Sequence, residues 1–212
     1  MRYWTIRVSM MAFAAALPCV GQTWEVGGAA GYSTYRDVTV TGAASGTAGF
    51  NSGYAVGALL GNSLYRSLGG EIRYTYLTGD LKVSSGNVSA RASGHSQAAH
   101  YDLLLHGGSK ESAIRPFLAA GAGVKVFSGT GREAAYQPLG NLLVLTHATQ
   151  AEPLISVGGG VKFSLGRRAL LRLDVRDYLT PRPDQLLAAP PNTRVTGWMN
   201  DLVFMAGVSA VF

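Results

Sequence analysis

Strict two-residue alternation runs through residues 198–212, WMNDLVFMAGVSAVF. Leu202, Phe204, Ala206, Val208, Ala210 and Phe212 fall on one parity, and Asp201, Val203, Met205, Gly207, Ser209 and Val211 on the other. A period of two predicts a β-strand whose faces meet different surroundings. Residues 202–212 number 11, which matches the roughly 9–11 that a tilted strand needs to cross a bilayer.

Earlier segments repeat the pattern at 24–35, 49–60, 68–78, 97–107, 115–127, 150–163 and 169–179, which makes eight predicted strands. The connections alternate in length. Long ones fall at about 36–48, 79–96, 128–147 and 180–197, rich in Gly, Ser, Thr, Ala and Pro, and short ones at about 61–67, 108–114 and 164–168. An up-and-down antiparallel meander puts every long loop at one end and every short turn at the other. That asymmetry is expected of a membrane-spanning β-barrel. An even strand count places both chain ends at the turn end.

Parity alone does not say which face points outward, because a soluble ligand-binding barrel alternates too. The polar parity is rich in small residues, among them Gly27, Ala29, Gly31, Gly53, Gly57, Gly121, Gly123, Gly158 and Gly160. Glycine weakens a water-facing strand, but it suits the crowded interior of an eight-stranded barrel. Charges on that parity nearly balance: Glu25, Glu71, Asp102, Glu152, Asp174 and Asp201 against Arg73, Lys125, Lys162, Arg172 and Arg176. Buried charges need partners, so balance is what a closed interior requires. The other parity is almost uncharged, with aromatics toward its ends. Trp24, Phe163 and Phe212 lie toward the turns, and Tyr32, Phe50, Tyr76, Tyr101 and Trp198 toward the loops. These predict two interfacial girdles on a lipid-facing surface.

Composition agrees. Only 14% of the 212 residues are charged, and mean hydropathy is +0.15, too apolar for a disordered chain. Residues 1–21 predict a secretory signal: Arg2 and Arg7, then the apolar run VSMMAFAAAL, a break at Pro18, and Cys19-Val20-Gly21. A buried N-terminal helix and acylation of Cys19 are the rival readings of this segment. The residues before Cys19, Ala16-Leu17-Pro18, put Pro where lipidation wants a small residue. Cleavage would remove two Arg and the single Cys, and leave residues 22–212 with 16 Lys+Arg against 12 Asp+Glu, a formal charge of +4. A cysteine-free barrel suits export through an oxidising space.

Three fragments resemble the OmpA/OmpX-type family of small outer-membrane β-barrels: RPFLAAGAGV at 115–124, VGGGVKF at 157–163 and LRLDVRDY at 171–178, together with Phe212. The resemblance implies an all-β, eight-stranded, antiparallel up-and-down transmembrane barrel in the cell outer membrane. It also implies that the last strand, with Phe212, is the signal read by the outer-membrane assembly machinery. Such a family transfers fold more readily than function.

The inward residues Glu71, Arg73, His100, Asp102, Lys125, Lys162, Arg172, Asp174, Arg176 and Asp201 are expected to form a lumen charge network that plugs the barrel. Trp24, Phe163, Tyr76 and Tyr101 are expected to mark the aromatic girdle. His100, Asp102 and His106 share one face of one strand. Asp beside His can do acid–base chemistry, but no Ser or Cys nucleophile is placed with them, and a metal site would need ligands from elsewhere. Gly121-Ala-Gly123 and Gly158-Gly-Gly160 lie inside strands and open no helix, so phosphate-loop chemistry is not expected. Asn87-Val-Ser89 matches a glycosylation sequon without functional weight. The basic loop residues Arg36, Lys82, Arg91, Arg132, Arg182 and Arg194 could meet lipopolysaccharide phosphates.

The expected function is a non-enzymatic structural or surface-interaction role for a monomer, without cofactor, metal or nucleic acid. The alternatives are a small passive channel, a lipid A-modifying or proteolytic barrel enzyme, and a soluble ligand-binding barrel.

Overall fold

The computed structural model describes residues 23–42, 45–63, 65–109, 112–130, 137–191 and 193–212. The segment 1–21 read as a signal lies outside them, as does Arg132. In chain order the strands are β1 (Thr23–Arg36), β2 (Val38–Thr41), β3 (Ser45–Phe50), β4 (Gly53–Ser63), β5 (Leu68–Thr78), β6 (Leu81–Ser85), β7 (Val88–Ala92) and β8 (Gly94–His106). They continue as β9 (Ile114–Gly129), β10 (Val144–Leu145), β11 (Thr149–Ser164), β12 (Ala169–Thr180), β13 (Leu187–Ala188), β14 (Arg194–Thr196) and β15 (Met199–Val211).

Eight of them close a barrel in the order β1-β15-β12-β11-β9-β8-β5-β4, with every neighbouring pair antiparallel. The first and last barrel strands form the seam, which runs from Glu25 opposite Val211 to Arg36 opposite Asn200. The seam extends one residue further: Trp24 N–H donates to the Phe212 carbonyl at 2.8 Å and Phe212 N–H donates to the Trp24 carbonyl at 3.0 Å. Closure leaves no unpaired edge, which hydrocarbon would not tolerate.

Burial alternates as the sequence predicts. Val26, Val56, Ile72, Leu103, Leu118, Val157, Leu173 and Val208 are exposed on the outer wall, where lipid would cover them. Trp24 and Phe212 are exposed at the turn end, and Tyr32, Tyr54 and Tyr76 toward the loop end. Tyr32 and Tyr54 meet edge to face at 6.2 Å, a favoured aromatic geometry. Tyr101 sits lower than expected. It pairs with Ile72, and a Cβ built on Gly70 would lie 2.0 Å from its hydroxyl. Tyr101 therefore belongs to the turn-side half of the belt and not to the loop-end girdle.

Inside, backbones approach too closely for side chains at some positions. A Cβ on Gly121 would lie 2.0 Å from the Tyr101 carbonyl, and one on Gly158 would lie 2.1 Å from that of Val175. This crowding is the physical reason for the glycine-rich inward parity.

The long connections depart from expectation, because they are not irregular. β14, β2, β3, β6 and β7 form a five-stranded sheet in that order, and β10 pairs with β13. Together they build a cap over the loop end with its own apolar core. Val38 and Val40 of β2, Ala48 and Phe50 of β3, Leu81 and Val83 of β6, and Leu142, Leu143 and Leu187 all pack there, each at most 3% exposed. The alternation responsible is local: Val38-Thr-Val40-Thr and Leu81-Lys-Val83-Ser put the apolar residues below and the polar ones above.

Phe50 departs from expectation as well. The expected strand 49–60 is interrupted at Asn51 and Ser52, where Asn51 N–H bonds the Asp80 carbonyl at 2.8 Å. The break folds β3 across the mouth, so Phe50 leaves the lipid-facing row and becomes 1% exposed in the cap core. Its ring packs 5.3 Å from Tyr35 and 5.2 Å from Phe127, two barrel residues. Phe50→Ala is therefore expected to loosen the cap by about 3–5 kcal/mol while the barrel persists. Limited proteolysis in detergent should then cleave cap segments of the variant, while heat-modifiable migration on gels is retained.

Candidate functional site: the charge ladder in the lumen

Among the described residues the lumen buries five carboxylates (Glu25, Glu71, Asp102, Asp174, Asp201) and five cations (Arg73, Lys125, Lys162, Arg172, Arg176), none more than 7% exposed. All ten project from alternate positions of β1, β5, β8, β9, β11, β12 and β15. Each lies in at least one ion pair.

The pairs stack along the axis. Nearest the turns, Glu25 accepts from Lys162, and from Arg172 at 3.0 Å. Arg172 also donates to Glu71 at 2.6 Å. One step up, Arg73 forks onto Asp174 with parallel bonds of 2.8 and 2.9 Å, and its Nε donates to Glu71 at 3.0 Å. Such a bidentate pair fixes geometry as well as charge. Above it, Arg176 approaches Asp102 to 3.2 Å and Glu71 to 3.6 Å. Its guanidinium nitrogens make no hydrogen bond of good geometry, so it is the least satisfied cation of the ladder. At the top, Lys125 donates to Asp201 at 2.6 Å and to the Tyr35 hydroxyl at 3.3 Å.

Apolar groups pack among these charges and above them. In the lower ladder the Phe117 ring lies 5.5 Å from Lys162, 5.1 Å from Arg172 and 5.5 Å from Arg176, within cation–π range. Toward the cap, Ala55, Leu77, Ala98, Leu154, Tyr178, Val203 and Met205 form a buried layer. Tyr35, Phe50 and Phe127 stack above it.

His100 and Asp102 meet as their shared parity implies, with Nδ1 3.0 Å from Oδ1. His100 Nε2 lies 3.0 Å from the Tyr178 hydroxyl, which is also 3.3 Å from Thr75 Oγ1. Hydroxyl, imidazole and carboxylate in a row have the order of a nucleophile, base and orienting group. Here Tyr178 and Asp102 are 0% exposed and His100 is 5% exposed, so the row lies in the packed interior away from solvent. His106 stands apart: its ring is 5.9 Å from Phe117, and neither nitrogen has a hydrogen-bond partner. Among the described residues, no three His, Cys, Asp or Glu side chains converge as a metal site would require.

All ten expected network residues are inside the barrel, and Glu25 joins them. Glu152 shares their parity but stays outside the ladder and bonds Gln150 above it. Three further lumen members, Tyr35, Phe117 and Tyr178, go beyond the expected set. Tyr178 keeps the parity of Arg172, Asp174 and Arg176, and Phe117 that of Ala119 and Lys125, so parity is the available signal for both. The expected girdle residues Trp24, Phe163 and Tyr76 lie on the outward parity.

Removing one partner of a buried pair leaves the other charge stranded. Arg73→Met should therefore cost about 3–5 kcal/mol, Arg176→Met should cost less, and Arg73→Met with Asp174→Leu should recover part of the loss. Urea unfolding in detergent micelles, read as a double-mutant cycle, checks the order.

No protein-family model matches the chain, and no curated protein matches it. Solved structures do. Neisserial surface protein A (NspA) superposes with a TM-score of 0.56 at 13% identity, covering 90% of this chain and 99% of that one. A major outer membrane protein from Thermus thermophilus gives 0.56 at 11% identity, covering 91% and 100%. The outer membrane protein AlkL, solved in DMPC lipid bilayers, gives 0.51 at 15% identity, covering 89% and 90%. With the closed wall and the apolar outer belt, these neighbours make the chain an outer-membrane β-barrel by fold, the architecture that the OmpA/OmpX-type resemblance implies.

Proposed function

We propose that the protein is a non-enzymatic, monomeric outer-membrane barrel that presents its cap to the surroundings and conducts no bulk solute. The observation that carries this reading is the ladder. Five cations and five carboxylates compensate one another from the turn end up to the stacked aromatics under the cap. A pore needs a continuous wet path and weak, multiple sites. Fixed bidentate pairs between opposite walls, such as Arg73 with Asp174, are the opposite arrangement.

The cap is then the working surface. Arg91 on β7 and Arg194 on β14 are exposed on opposite edges of its sheet, placed to meet lipopolysaccharide phosphates. Phe212 closes the seam with Trp24 and serves as the signal that the outer-membrane assembly machinery reads.

In planar bilayers the wild type is expected to give no stable unitary steps, and Arg73→Ala with Asp174→Ala and Arg172→Ala is expected to introduce them. Large ion-selective steps in the wild type would overturn the closed-lumen reading. Deleting Phe212 should lower the heat-modifiable, folded fraction in cell envelopes more than a change in any one cap segment does. Normal assembly without it would remove its role as a signal.

A further inference from the structure

The turn-end mouth of the lumen is open. A cavity of about 400 Å³ lies there, lined by Glu25, Arg115, Lys162 and Arg167, with hydroxyls from Ser112 and Ser164. Glu25, Arg115, Lys162 and Ser164 occupy inward positions of β1, β9 and β11. The cavity is thus the end of the lumen itself, on the barrel axis and inside the girdle that holds Trp24 and Phe212.

Among the described residues its charge is one-sided. Three cations face one carboxylate, and that carboxylate is already engaged. One Glu25 oxygen accepts from Lys162 and the other from Arg172. Arg115 has no carboxylate partner among the described residues. It donates Nη2 to the Arg66 carbonyl at 2.8 Å, and its Nε is buried with no hydrogen-bond partner. Arg167 is exposed on the rim and enters no ion pair among the described residues. This imbalance contrasts with the full compensation of the ladder directly above. A buried guanidinium donor left unmade is costly, and a guanidinium fork flanked by hydroxyls and a second cation is the donor set that suits a tetrahedral oxyanion.

We propose that the turn-end mouth is a binding site for a compact phosphate group. Arg115 supplies the free fork edge, Arg167 a second cation from the rim, and Ser112, whose hydroxyl oxygen accepts from Ser109 N–H at 3.2 Å, a neutral donor, while the Ser164 hydroxyl donates to the Gly166 carbonyl at 2.9 Å. Lys162, held by Glu25, forms the floor. Beyond it stand Arg172 and Phe117, 5.1 Å apart. The cavity exceeds a bare phosphate in size and leaves room for a small organic substituent. Two sources carry this chemistry: the free ion, and a lipid headgroup from the adjoining leaflet. The site does not depend on the closed-lumen reading, because it is measured by binding and not by current.

The test uses the full chain folded in a phospholipid-free maltoside detergent and titrated with inorganic phosphate by calorimetry. Saturable binding is expected for the wild type. Arg115→Gln should weaken it roughly tenfold or more, the value of a lost charge-assisted hydrogen bond. Arg167→Gln, at an exposed position that folding does not need, should weaken it by a smaller factor. Arg91→Gln in the cap should leave it unchanged. Short-chain phosphatidylglycerol added to the same micelles separates the sources: competition assigns the site to a headgroup, and indifference assigns it to the free ion. Heat-modifiable migration confirms that each variant is folded. Absence of saturable binding in the wild type, or wild-type affinity in folded Arg115→Gln and Arg167→Gln, would overturn the proposal.

Discussion

Charge compensation inside a closed wall is the constraint on which the rest of this structure depends. An eight-stranded barrel has an interior just wide enough for side chains, and ten of those here are ionised types. Stripped of water, an isolated charge is prohibitively costly, and a pair is tolerable only with good geometry and further hydrogen bonds. The ladder meets that condition by sharing. Glu71 serves Arg73 and Arg172, and Asp174 takes both ends of the Arg73 fork. Long basic side chains crossing the lumen need room, and the inward glycines supply it, with Gly121 beside Asp102 and Gly158 beside Arg176.

The wall and the ladder are legible in the chain to different depths. Period-two alternation locates 68–78 and 169–179 almost residue for residue as β5 and β12, because a strand between lipid and a crowded lumen has two unlike faces along its whole length. The same reasoning places every network charge inward. It does not say which charge meets which, because the partners come from distant positions: Arg73 and Asp174 are 101 residues apart, and Lys162 and Glu25 are 137 apart. Strand order and stagger decide those encounters, and neither is written in local pattern. Phe50 escapes the pattern for the converse reason: a local break at Asn51 and Ser52 interrupts an alternation that looks continuous. The cap is hidden although Val38-Thr-Val40-Thr carries the same period. Four residues in a Gly- and Thr-rich stretch look like loop until β3 and β14 are brought beside them.

The two ends of the molecule are built on opposite principles. The loop end is finished by an apolar core, in which Phe50 overlies the barrel's own Tyr35 and Phe127. That surface excludes water and gives the cap its own cohesion. The turn end is finished by hydroxyls and by guanidinium groups that enter no ion pair among the described residues, with short connections such as 165–168 that have little to bury.

The seam between β1 and β15 has a consequence for how the molecule is made. It joins the first and last barrel strands, so Glu25 on β1 and Asp201 on β15 enter the interior only when the hoop closes. Before that moment the sheet is open, and its polar face is a wet trough with no dry compartment to hold the ladder. No N-terminal fragment can contain a finished interior. Every cap strand lies between β1 and β15 in the chain, so the cap segments are already strung along the sheet before the hoop can close. Completion of the ladder waits on the pairing of β1 with β15, an order set by the topology of the hoop.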